Sequence, residues 1–164
     1  MEDYLRLLKE HGIQIVRVFV PGGVPGAQCS SYGGGLEYEL GKYDDKYLIY
    51  FDKLFKIASN FEIYVIFALF DAYKFNVCWN KTPYSRFGPS SESFFKPAAR
   101  DFQKKRVHLL VQRYSKDHNL LDWEPINEIN NVCFDILDGD HRLLEWFEDI
   151  AKTIRKYDYQ TLIT

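Results

Sequence analysis

"LLDWEPINEIN", residues 120–130, runs from a β-prone apolar stretch into a proline, two asparagines and two carboxylates, Glu124 and Glu128, set four residues apart. On an extended strand alternate side chains share a face, so a strand reaching Ile129 points Glu124, Ile126 and Glu128 the same way. Whether that face is a protein interior depends on what flanks the stretch.

Upstream, "YLRLLKEHG" carries Leu5, Leu7 and Leu8 and stops at Gly12, which reads as a helix with a glycine end. "IQIVRVFV" (residues 13–20) follows, β-branched and bounded by a Pro-Gly-Gly, as a strand buried on both faces does. Residues 44–60 place Leu48, Phe51, Leu54, Phe55 and Ala58 at helical spacing, and "IYVIFALF" (residues 63–70) is a second buried strand. After a polar loop over residues 71–97, a helix over residues 100–117 turns Phe102, Val107, Leu110, Val111 and Tyr114 to its apolar side. Beyond "LLDWEPINEI", a helix over residues 141–158 presents Leu143, Leu144, Phe147, Ile150, Ala151 and Ile154, and "TLIT" begins one more strand.

Helices and strands in alternation call for a parallel sheet, either doubly wound or part of a (β/α)₈ barrel. The long connections follow the strands, after Val20, Phe70 and Ile129, and a barrel elaborates that same face. An open sheet also binds at strand ends, but an open-sheet enzyme would call for a glycine-rich first turn. Gly22, Gly23, Gly26 and Gly33 to Gly35 lack the Gly-Lys-Ser/Thr ending of a phosphate loop and read as turn punctuation. In a barrel the shared face of Glu124 and Glu128 looks inward, with Glu128 at the mouth and Glu124 below it. Ile15, Arg17 and Phe19 share a face in the same way, and an arginine inside "IVRVFV" needs a carboxylate partner. Glu124, Glu128 or an acid outside the chain can supply it. In the plainest account Arg17 and Glu124 form a structural ion pair and Glu128 is a solvated strand-end acid.

The 164 residues, 46% hydrophobic and 17% aromatic, suffice for one buried core. With 21 Lys+Arg against 23 Asp+Glu there is no basic field for a phosphate backbone, so nucleic acid is not an expected partner. No apolar run reaches the roughly 18 residues of a spanning helix, and "MEDYLRLLKEHG" lacks a signal-peptide core, so neither a membrane nor export is read from the chain. Cys29, Cys78 and Cys133 have no paired ligand spacing, and the histidines have no partners at such spacing, so neither a metal nor a cofactor is expected.

"WEPINEIN" resembles the Trp-Glu-x-x-Asn-Glu strand of the retaining glycoside hydrolases of clan A, the (β/α)₈-barrel group of β-mannanases and cellulases. "GIQIVRVF" is similar to the second strand of that barrel, "IYVIFALFDAY" to the third, and "IRKYDYQTLIT" to the approach to the fifth. The resemblance implies a partial (β/α)₈ barrel, strands two to five with their helices. Residues 1–164 would then be one incomplete domain, without the first strand and the C-terminal strands. It implies retaining hydrolysis of a β-linked glycan, mannan or glucan, by the intact enzyme.

Carried over residue by residue, Glu128 matches the general acid/base, a role that asks for surroundings favouring a protonated carboxyl. Asn127 matches the residue bonded to the sugar 2-hydroxyl, and Arg17 the arginine that holds the nucleophile ionised. The nucleophile itself belongs to the family's seventh strand, so the chain alone is expected to be inactive. Its expected partners are an oligo- or polysaccharide and either the missing barrel half or a second copy of the chain, since open sheet edges invite pairing. The competing function is a non-catalytic carbohydrate-binding or subunit-contact module.

Trp79 and, less strongly, Tyr73 and Tyr84 on the loop after the third strand are candidate sugar platforms, and any of them can equally pack the loop. Asp71 and Asn130 are further substrate-contact candidates, whereas Trp123 faces away from Glu124 and packs under helices. His11 and His108 read as structural. In a barrel all three cysteines fall on loops of the catalytic face, and a Cys78–Cys133 disulfide is one pairing this allows.

Overall fold

The computed structural model describes residues 1–22, 35–73, 75–132 and 139–164. Helix α1 (Glu2–Glu10) leads into β1 (Ile15–Phe19), and the hairpin strands β2 (Glu37–Glu39) and β3 (Lys42–Tyr43) follow. Then come α2 (Asp45–Asn60), β4 (Tyr64–Ala68), α3 (Phe75–Cys78), α4 (Pro97–Tyr114), β5 (Leu120–Glu124), α5 (Gly139–Arg155) and β6 (Leu162–Ile163). The four long-range strands form one parallel sheet in the order β1-β4-β5-β6, so each new strand is laid beside the previous one. That succession is what short helix-to-strand links produce when every crossover packs on the same side.

Local chemistry sets the helix starts. The Asp44 side chain accepts the Lys46 N–H at 3.0 Å and caps α2, and Pro97 opens α4 where a missing N–H is harmless. One face of the sheet is buried under the helices through Val65, Phe67 and Trp123. There Phe55 stacks on Tyr114 with ring centroids 4.8 Å apart, and Phe67 meets both edge-on. Trp123 is on the helix side, as its alternation with Glu124 requires.

The opposite face is open. Ile15, Phe19, Tyr64 and Leu162 are 40–57% exposed there, in the same parity or register as Arg17, Ile66 and Asp122. β1 and β6 are the sheet's two edges, each paired on one side.

Three expectations are corrected. The strand predicted to reach Ile129 ends at Glu124, because Pro125 cannot donate to the ladder and the chain turns out of it. The segment 71–97, read as polar loop, contains α3 and three 3₁₀ turns around a core of its own, with Phe75, Tyr84, Phe94 and Phe95 buried. On α5 Leu144 is exposed and the buried stripe is Trp146, Ile150 and Ile154; the Trp146 indole reaches Gln103 Oε1 at 2.9 Å and stacks edge-on against Phe95, which fixes the helix rotation. No described helix is long and apolar enough to cross a membrane.

Candidate active site

The strand-borne arginine finds its carboxylate within the chain. Arg17 Nε donates to Glu124 Oε2 at 2.6 Å and Nη2 donates to Oε1, a two-pronged pairing across the open face. Nη2 also donates to Asn127 Oδ1 at 2.8 Å, while Nη1 donates to none of the described residues. The hydrogen bond to Glu124 raises the Arg17 pKa above its ordinary value against the opposing effect of burial, and the Glu124, Glu128 and Asp71 charges add to the rise.

Asn127 is buried and held on both ends of its amide. Its Nδ2 donates to Asp71 Oδ1 at 2.7 Å, and the same Asp71 oxygen accepts the Tyr73 backbone N–H at 3.1 Å. The backbone repeats the connection, Asn127 N–H to Phe70 O and Ala72 N–H to Asn127 O, each at 3.0 Å. Asp71, Asn127, Arg17 and Glu124 therefore form one hydrogen-bonded chain across the C-terminal ends of β1, β4 and β5.

Glu128 follows at once, in the left-handed backbone conformation with φ at 52°. It is exposed, whereas Ile126 and Glu124 are buried. Glu124 and Ile126 line one cavity, and Glu128 stands exposed past the end of the strand. Its left-handed conformation carries a cost for a non-glycine residue and recurs at functional positions.

A second cluster, not foreseen in the sequence, ties the rim together from the helix side. Arg106 of α4 is 1% exposed and its Nη2 donates to Val20 O at 2.9 Å and Leu69 O at 2.7 Å, the residues just past β1 and β4. Its Nη1 lies 3.7 Å from Glu37 Oε2, and Glu37 also accepts from Tyr84 Oη at 2.7 Å and from the Gly41 N–H at 2.8 Å. Burial pushes the Glu37 carboxyl above its ordinary pKa, and Arg106 pulls against that rise. A helix reading "QKKRVH" looks solvated, so the burial of its arginine is visible only in the tertiary structure.

The remaining candidates separate. Trp79 is buried, donates its indole N–H to Gly88 O at 2.8 Å and stands edge-on to Phe75, so it packs the loop and is no exposed platform. Tyr84 is buried on Glu37. Tyr73 is 54% exposed and Asn130 is also exposed, both just past the bridge that pairs Asp71 with Asn127. His108 packs against the Tyr157 ring, and His11 bonds the Leu7 carbonyl. Cys78 is disulfide-bonded, whereas Cys29 and Cys133 lie outside the described residues, and with them the expected pairing. No group of three or more potential metal ligands occurs among the described residues.

The parallel strands, outer helices and polar strand ends make this the wall of a partial (β/α)₈ barrel. Solved structures with this fold that the chain resembles include glycoside hydrolases. An endo-β-1,4-mannanase from Thermotoga petrophila matches 98% of this chain at 18% identity with a TM-score of 0.76, over 37% of its own length. A family 5 glycoside hydrolase mannosidase from Rhizomucor miehei, solved with mannosyl-fructose, matches 99% at 17% identity with a TM-score of 0.75, over 44% of its length. An endoglucanase from Pseudomonas stutzeri matches 99% at 14% identity with a TM-score of 0.67, over 42% of its length. The chain spans between 26% and 50% of the solved structures it resembles. No protein-family model and no curated protein matches the sequence.

Proposed function

We propose that this chain is the acid/base-bearing part of a retaining glycoside hydrolase barrel that cleaves β-linked glycans of the mannan or glucan type. The observation that carries the reading is the placement of Asn127 and Glu128: a buried asparagine locked between Arg17 and Asp71, followed directly by an exposed carboxylate that the backbone turns to the rim. Glu128 protonates the departing glycosidic oxygen and then activates water. One Asn127 Nδ2 proton is committed to Asp71, and the other is available to a sugar 2-hydroxyl. Tyr73 and Asn130 are the exposed neighbours suited to further substrate contact.

A retaining reaction needs a second carboxylate about 5 Å from the acid/base. Glu124 is engaged by both prongs of Arg17 and serves as that arginine's anchor. The nucleophile therefore comes from polypeptide that completes the barrel against β1 and β6, where Arg17 Nη1 remains able to hold it. Residues 1–164 are one domain in this reading, incomplete as a barrel.

The test is reducing-sugar release from mannan and β-glucan by the polypeptide with its flanking sequence, by the 164-residue chain and by Glu128→Gln in each. The complete polypeptide should lose roughly 10²–10⁴-fold in rate with Glu128→Gln, the usual range for a general acid/base. The 164-residue chain should release nothing. Turnover by that chain, or turnover indifferent to Glu128, would refute the proposal. The occupation of Arg17 by Glu124 favours one second reading, a carbohydrate-binding module, in which glycan stabilises the protein and no product forms.

A further inference from the structure

We propose that Asp122 is the seat for a lysine or arginine side chain that reaches across the barrel interior from the wall completing it. The proposal rests on the barrel reading above and concerns a residue outside its proposed chemistry.

Asp122 sits on β5 opposite Ile66 and Leu162, on the open face. Its side chain is 3% exposed, Oδ2 accepts from Thr164 Oγ1, and Oδ1 has no partner among the described residues. Asp122 lines a cavity of about 450 Å³ together with Arg17, Ile66, Glu124, Ile126, Phe147 and Thr164. A buried carboxylate oxygen without a donor is a costly arrangement, so it marks a place where a donor belongs.

Charge selects the donor. Asp122 and Glu124 share their cavity with Arg17, which Asp71 also approaches, and that guanidinium donates to Glu124 and Asn127 and not to Asp122. Among these described residues, three acids against one base leave a cation wanting. A bare metal ion finds no cluster of three ligating side chains among the described residues. The apolar surface around the seat, from Ile15, Phe19, Tyr64 and Leu162, is of the kind a packed protein wall covers and a small soluble cation would leave wet. A long cationic side chain satisfies both conditions, since its stem packs on Ile66 and Phe147 while its head meets Oδ1.

The test titrates the ¹⁵N-labelled 164-residue chain with n-propylguanidinium chloride, against sodium chloride at equal ionic strength and against neutral n-propylurea. Saturable shifts at the amides of Asp122 and Thr164 are expected with propylguanidinium only, weakened at least about tenfold in Asp122→Asn. No saturable shift, or equal binding of propylurea, would overturn the proposal without recourse to a variant. Equal binding by a folded Asp122→Asn would do the same. In the polypeptide that carries the completing wall the probe should find the seat filled; shifts that persist there would assign the site to a free cation and refute the side-chain occupant. These outcomes are independent of Glu128, so failure here leaves the hydrolase reading standing, and failure of glycan cleavage leaves this one.

Discussion

Replacing Arg106 by methionine isolates the energetic role of the helix-borne guanidinium, because the substitution keeps most of the stem and removes the charge. It deletes the two hydrogen bonds to Val20 O and Leu69 O and leaves Glu37, fully buried, with only the Tyr84 hydroxyl and the Gly41 N–H. Breaking a buried pair from one side costs about 3–5 kcal/mol, against a whole-domain stability of about 5–15 kcal/mol. Glu37→Gln should cost about 1–3 kcal/mol, the scale for one disturbed buried partner. The double variant should be milder than the sum of the two by at least about 1 kcal/mol, since the stranded charge is then gone. Urea unfolding followed by tryptophan fluorescence and far-ultraviolet circular dichroism measures all three.

The same variants carry a pH signature. Burial holds the Glu37 carboxyl above its ordinary value, so between that value and the folded one the native state binds more protons than the unfolded state. The slope of unfolding free energy with pH is then negative, and stability falls as pH rises through the window. Arg106 opposes the rise, so Arg106→Met should raise the Glu37 carboxyl further and recover part of its deficit in mild acid. An Arg106→Met deficit below about 1 kcal/mol, strict additivity in the double variant, or a deficit independent of pH would refute the reasoning.

Trp123→Phe removes the indole donor to Asp158 Oδ2 at 2.8 Å and should cost about 1–3 kcal/mol in urea unfolding at neutral pH. Burial pushes Asp158 upward, but hydrogen bonds from Thr161, Trp123 and Gln160 outweigh it and hold the carboxyl below its ordinary value. Stability from this group is therefore lost as pH falls, and the loss should be shallower in Trp123→Phe. Thiol titration of the unfolded chain should find one free thiol per chain before reduction and three after, from three cysteines with one pair bonded. Asp71→Ala should free the Asn127 amide, seen by nuclear magnetic resonance as at least about tenfold faster hydrogen exchange of its side-chain NH₂; unchanged exchange would show that Arg17 alone fixes it.

Much of this arrangement was legible in residue order. The β-branched runs and the helical spacing of Phe51, Leu54 and Phe55 foretold the parallel sheet and its helices, because apolar periodicity reports burial directly. An arginine inside a buried strand had to be paired, and the Arg17–Glu124 contact follows from that requirement. The predicted extent of the strand failed beyond Glu124 because it assumes an unbroken ladder, and Pro125 ended it. The hairpin of Glu37–Glu39 and Lys42–Tyr43 is too short to leave a periodic trace. Trp79 and Tyr84 were misjudged because a loop with its own aromatic core reads like one that displays aromatics to solvent. Arg106 and Asp122 were overlooked for a common reason: a charged residue looks solvated until its neighbours in space are known, although the parity of Asp122 with Glu124 was a usable signal.

Glu128 and Glu62 share a left-handed backbone with φ at 52°, but Glu62 merely ends a helix–strand turn and pairs with Lys9 at the surface. In a laboratory selection for thermal stability alone, both positions would drift toward glycine or asparagine, the residues that tolerate this conformation best. At Glu62 such drift would be harmless; at Glu128 it would erase the carboxylate proposed as the acid/base while every biophysical readout improved. On the proposed function, a library built on the polypeptide with its flanking sequence has to be sorted on sugar release as well as on heat, or its best survivors will be well-folded and inert.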